Sequence, residues 1–138
     1  MRKRILIEIP EEDLRRDLGW YRQGMDEWAV RSYLVRHLDI IDRGLNIEHL
    51  IGFNIFFENQ EADMLFNKNG VYYIIETKQK GKYYRGWKYL GDTVRCFEQE
   101  MKMHNEEPQE VIPILATSSK IIKELTVRSI PNWDFPTE

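Results

Sequence analysis

The apolar run at residues 71–75 ends abruptly in Glu76, Thr77 and Lys78, and an earlier acid, Asp63, stands in the stretch EADMLF. Ionised groups at the end of an apolar strand are costly unless something compensates them. What chemistry they could do depends on whether Asp63 and Glu76 meet. Between them lies Asn69-Gly70, the strongest short signal for a two-residue type I′ hairpin turn, since both residues tolerate positive φ. With Lys68 opposite Val71, facing positions sum to 139 and Asp63 falls opposite Glu76. A four-residue loop would move Asp63 opposite Ile74 but keep it on the same face; only a three-residue loop would separate the acids. The two-residue strand period then adds Lys78 to that face.

Two carboxylates at directly opposed strand positions have Cβ atoms about 5 Å apart and repel each other. A divalent cation removes that penalty. Mg²⁺, with Mn²⁺ as a substitute, favours a few carboxylate oxygens, and the Thr77 carbonyl could serve as a further hard ligand. Lys78 is no metal ligand and suits holding or polarising an attacking water. The plainer alternative is a charged strand end that reaches solvent, with Lys78 neutralising Glu76, because so short a motif recurs by chance.

The elements that must position these groups follow from periodicity. The 138 residues, 42% hydrophobic and 31% charged, fit one domain with a single core. No apolar run reaches the roughly 18 residues of a membrane span, and the opening MRKRILIEIP is too acidic for a signal peptide, so a cytoplasmic protein without a membrane partner is expected. Cys96, the single cysteine, reads as a free thiol. Residues 4–9 suggest a short strand and Pro10-Glu11-Glu12 a helix start, together an N-terminal extension over 1–24. Val30, Leu34 and Leu38 recur at helical spacing after Asp26. Residues 50–58, 62–67 and 71–78 read as a three-stranded meander, 87–104 as a helix, 110–117 as a strand, and 118–125 as a last helix capped by Ser118 or Ser119. Pro113 suggests that the strand at 110–117 is an edge or carries a bulge. Residues 128–138 read as an extended tail.

Asp63, then IIETK with Glu76 and Lys78, on a helix, three-strand, helix, strand frame, resembles the PD-(D/E)xK nuclease superfamily. The likeness covers about residues 25–118. EWAVRSYLVRHLDIIDRGL, EADMLF and YYIIETK look most like the catalytic domain of NucS/EndoMS-type endonucleases and their RecB-like relatives, with Glu27, Val30, Tyr33 and Leu34 matching the first helix. Ala62 stands where the superfamily often has Pro, and the Gln-xxx-Tyr element of the RecB-like branch is not evident. The resemblance implies an α/β, restriction-endonuclease-like core over 25–127, with a central mixed four-stranded sheet flanked by helices in the order α-β-β-β-α-β-α. It also implies that Glu27 reaches the metal from the first helix.

The function expected is metal-dependent phosphodiester hydrolysis by a structure-selective endonuclease, on DNA ahead of RNA. Asp63, Glu76, Lys78 and Glu27 would be catalytic, and Asp63, Glu76, Thr77 and Glu27 would hold Mg²⁺. In KQKGKYYRGWK, Lys80, Lys82, Arg85 and Lys88 would contact phosphates while Tyr83, Tyr84 and Trp87 stack on unpaired bases, with Gly81 and Gly86 making the segment mobile. A nuclease-fold subunit that binds or assembles without cutting is the rival reading. A homodimer is expected, through the RILIEI strand or the tail with Trp133 and Phe135.

Overall fold

The computed structural model describes residues 3–22, 24–79 and 82–131. The chain runs β1 (Arg4–Pro10), α1 (Glu11–Asp17), α2 (Asp26–Arg36), β2 (Leu50–Phe57), β3 (Gln60–Lys68), β4 (Val71–Lys78), α3 (Tyr83–Met103), β5 (Glu110–Ser119) and β6 (Thr126–Ile130), with short 3₁₀ turns at Leu38–Ile40 and Ile47–His49. The fold is α/β, with three helices on one mixed six-stranded sheet of order β2-β3-β4-β5-β1-β6. β4, β5 and β1 are parallel; β2, β3 and β6 run antiparallel to their neighbours. Among the described residues no helix is long and apolar enough to cross a membrane.

Alternation along the strands divides the core between the two faces of the sheet. Ile5, Ile7, Ile9, Phe66, Ile75 and Ile114 point to one face, where they meet Leu14 of α1 and Val30 and Leu34 of α2. Leu6, Leu65, Ile74 and Leu115 point to the other, where Trp87, Leu90, Val94 and Phe97 of α3 cover them. Each such side chain contributes about 1.5–3 kcal/mol when fully buried. That outweighs the cost of Gly86 and Gly91 inside α3, about 1 kcal/mol each relative to alanine.

The turn at Asn69-Gly70 forms as the sequence indicates. Both residues take positive φ, 54° and 88°, and Lys68 pairs with Val71 in a ladder that runs to Met64 opposite Ile75.

Four expectations are corrected. The leading strand is no accessory: β1 lies between β5 and β6, so its isoleucines complete the core, and the four-stranded sheet becomes six-stranded. Both edges of RILIEI are therefore occupied, which removes it as a strand-pairing dimer seam; Trp133 and Phe135 lie outside the described residues. The helix expected over 118–125 does not form. Ser119 Oγ accepts from the N–H groups of Ile121 and Ile122, the chemistry of a cap, but it closes a turn that sends β6 back along β1 and absorbs the start of the expected tail. Finally, β5 is an interior strand. Pro113 pairs only toward β4 because the β1 ladder begins one residue later, at Ile5 opposite Ile114, so the missing N–H sits where that flank is still open.

Candidate active site

The site lies at the carboxyl ends of the parallel strands, where α2 and α3 begin, the position at which open α/β sheets offer a crevice. β4 carries its apolar run into the core, so Glu76 ends up only 4% exposed and Thr77 2%. Past Met64–Ile75 the β3–β4 ladder stops. There the Asp63 carboxylate replaces a ladder carbonyl: Thr77 donates to its Oδ2 from both the backbone N–H and Oγ1, each at 2.8 Å.

Asp63 can do this because its strand is irregular at that point. The β2–β3 pairing passes from Phe53–Met64 to Ile55–Ala62, and Asn54 between them adopts φ 51°, a left-handed conformation that asparagine tolerates better than most residues. Ala62 and Met64 consequently pack on opposite faces of the sheet. Strand parity alone does not aim Asp63; the left-handed kink at Asn54 and the two Thr77 donors do.

Glu76 follows the parity argument and sits on the α3 face with Ile74. Its carboxyl hydrogen-bonds that of Asp63. Burial first, then this bond and the Asp63 charge, hold the Glu76 proton on far above the usual carboxylate range, opposed by Lys78 and assisted weakly by Glu27. Lys78 Nζ stands 3.8 Å from Glu76 Oε2 and over the Tyr89 ring at 5.6 Å from its centroid. The start of α3 presses against it: a Cβ at Gly86 would meet Leu115 Cδ1 at 2.7 Å and Lys78 Cγ at 3.1 Å.

Glu27 is exposed at the start of α2 and lines, with Asp63 and Thr77, a pocket of about 210 Å³. Three residues not singled out from the sequence, Trp28, Arg31 and Asn54, share that pocket. Arg31 reaches Asp63 Oδ1 at 3.6 Å and donates to Asn54 Oδ1 at 3.2 Å. The sequence signal was the i, i+4 spacing of Glu27 and Arg31, which suggests a surface pair; the fold turns the guanidinium to Asp63 instead.

The 80–88 segment departs from expectation. Lys80 and Gly81 lie outside the described residues, and from Tyr83 onward the chain is helix, because Gly86 is needed for close packing and not for mobility. Trp87 is 8% exposed in the core with the Arg4 guanidinium over its ring, so it is no stacking platform. The Tyr83 hydroxyl donates to Glu8 at 2.7 Å, and Lys88 pairs with Asp92 at 3.8 Å. Lys82, Tyr84 and Arg85 remain exposed at the helix start.

Among the described residues no group of three or more His, Cys, Asp and Glu side chains is gathered closely enough to hold a metal. The Asp63–Glu76 pair nevertheless fits a divalent cation as a donor set. Both are hard oxygen ligands, and burial first, then the Asp63 carboxylate beside it, holds the proton on Glu76, so a cation would take the proton's role. No protein-family model, curated protein or solved structure matches the chain.

Proposed function

We propose that this chain is a metal-dependent nuclease with a restriction-endonuclease-like core, hydrolysing phosphodiester bonds in structured DNA during repair, recombination or mobile-element processing. The observation that carries the reading is the buried Glu76 carboxyl beside the Asp63 carboxylate, with Lys78 3.8 Å away. A purely structural strand end has no need of a second, half-buried acid beside the first.

In the reaction a water oxygen attacks phosphorus, the bond from phosphorus to one ester oxygen breaks, and the products are a phosphate monoester and a hydroxyl. A bound Mg²⁺ or Mn²⁺ would supply Lewis-acid neutralisation of the phosphate oxygens. Asp63, Glu76 and the Thr77 carbonyl would hold it, with Glu27 at the rim. Asp63 is fixed by the two Thr77 donors at Oδ2, so its Oδ1, 3.6 Å from Arg31, is oriented before any ligand arrives. Lys78 orients the water or meets the charge that develops on the leaving oxygen. Lys82 and Arg85, exposed at the start of α3, offer phosphate contacts.

The rival, a nuclease-like fold that binds without cutting, draws support from Arg31, which already neutralises Asp63. A panel of flapped, branched, mismatched and single-stranded DNA and of RNA, each with Mg²⁺, Mn²⁺ or EDTA, decides between them. Metal-dependent products that disappear in Glu76→Ala are expected; binding with no product under any metal would favour the rival.

A further inference from the structure

Next to the acid pocket, α2 and β2 enclose an open groove of about 390 Å³ whose walls include Trp20, Trp28, Phe53, Arg31 and Arg36. Three large aromatic rings are left in solvent there: Trp28 is 63% exposed, Trp20 45% and Phe53 43%. Burial in the core would ordinarily claim such side chains, and here they gather on one face of the molecule. Arg31 ties the groove to the acid site. Its guanidinium lies over the Trp28 ring at 5.1 Å and the Phe53 ring at 5.8 Å from the centroids, while its other contacts are Asp63 and Asn54. Trp28 and Arg31 line both cavities.

We propose that this groove stacks the unpaired bases of a nucleic-acid strand whose backbone crosses the Asp63–Glu76 site, so that the substrate class is a strand with unstacked bases next to the point of attack. Aromatic faces interleaved with arginine are the recurring chemistry of sequence-tolerant single-strand binding, because every base has a π-face and every nucleotide a phosphate. The charge in the groove is complementary: the two charged side chains lining it are both arginines, with Arg36 shared with Asp17 at 3.5 Å. Continuity with the acid pocket favours a nucleic-acid strand over a protein partner, since one guanidinium borders both. Of the stacking platform expected at Tyr83, Tyr84 and Trp87, Tyr84 alone is left well exposed, whereas the groove gathers its three open rings on the opposite face of the sheet.

The substrate assignment rests on the nuclease reading, and its test is kept separate by measuring binding in EDTA. Labelled oligothymidylate and oligouridylate of about a dozen nucleotides, and a blunt duplex of equal length, are titrated into the full chain; fluorescence anisotropy and intrinsic tryptophan emission are both followed. Single strands should bind more tightly than the duplex and quench the emission. Trp28→Ala and Phe53→Ala should each weaken single-strand binding about ten-fold, and Trp28→Phe much less, as loss of one stacked base predicts. Circular dichroism and sedimentation of each variant exclude unfolding and report self-association. Equal affinity for duplex and single strand, unchanged affinity in Trp28→Ala, or a groove that supports only self-association would overturn the proposal. Stacking without cleavage on the substrate panel would remove the nuclease reading alone; cleavage with an inert groove would remove this one alone. The thymidylate and uridylate arms tell DNA from RNA.

Discussion

Two places on this sheet bring together an acid, a lysine and a tyrosine, and they are built to opposite ends. Near the hairpin, Asp42 Oδ2 accepts from the Tyr73 hydroxyl at 2.6 Å and from Lys68 Nζ at 3.3 Å, and Lys68 also donates to the Arg43 carbonyl. Those bonds, Tyr73 first, pull Asp42 below its usual carboxylate range. At the far end of β4, Glu76 has Lys78 and Tyr89 for neighbours, but the Tyr89 hydroxyl oxygen is taken by the Glu61 N–H and a second acid stands beside it. Glu76 is pushed up, chiefly by burial. Similar residue types therefore make a satisfied polar anchor in one place and an under-compensated one in the other. Unmet electrostatic demand, and not residue type, separates a site from a support.

The sharpest way to break the comparison is Glu76→Gln, which should lower metal-dependent cleavage by on the order of 10²–10³-fold. The same change should stabilise the metal-free protein by about 1 kcal/mol near pH 8, since a neutral side chain suits the buried position. The sign follows from linkage. With its folded pKa raised, Glu76 is protonated in both states below the ordinary glutamate value, and as pH rises only the unfolded chain loses the proton, so stability falls with pH. Denaturant melts across pH should show that slope in the natural sequence and a flatter one in Glu76→Gln. Loss of stability instead would mean that Glu76 is a structural group.

Lys78→Met keeps the aliphatic stem against Gly86 and removes the charge. Cleavage should fall about 10²-fold, the usual worth of a group that assists proton or water positioning, with little change in melting temperature. Arg31→Leu tests whether the guanidinium competes with a cation for Asp63. Mn²⁺ binding by titration calorimetry should tighten about five-fold, matching the roughly 1 kcal/mol of a partly screened ion pair; weaker binding would show that Arg31 orients Asp63 for the metal.

The smallest effect is expected at the satisfied cluster. Tyr73→Phe should cost about 1 kcal/mol of stability and leave cleavage unchanged. Because Asp42 is depressed, the stabilisation that it contributes is present above the ordinary aspartate value and fades as pH falls through the lower folded one. The loss in Tyr73→Phe should therefore shrink in acid, opposite to the Glu76 behaviour.

What the sequence revealed is what short-range chemistry dictates. Asn69-Gly70 fixed the β3–β4 register because only such residues enter the turn cheaply, and the span of β4 is the one read from its apolar run. The position of Asp63 was half legible. The register that brings it near Glu76 followed from the turn, but the ladder ends at Met64–Ile75, and the Asn54 irregularity and the Thr77 donors that aim it are tertiary. Partners distant in the chain left no local mark: nothing in RILIEI announces neighbours on both sides, and Thr126–Ile130 is too polar and exposed to read as a strand without β1 to pair with. The start of α3 was hidden because Gly86 near two tyrosines looks like a loop until Leu115 and Lys78 are seen to require the missing side chain. Arg31 was hidden by its own spacing, since Glu27 four residues earlier offered a simpler partner.

The placement of β1 also constrains how this molecule is made. Ile5 must await Ile114 on one side and Ser129 on the other, so β1 is synthesised well before either neighbour it must pair with, and such distant pairings slow folding. Until then both flanks of a three-isoleucine strand stand open, which is the condition under which β segments join the wrong partner.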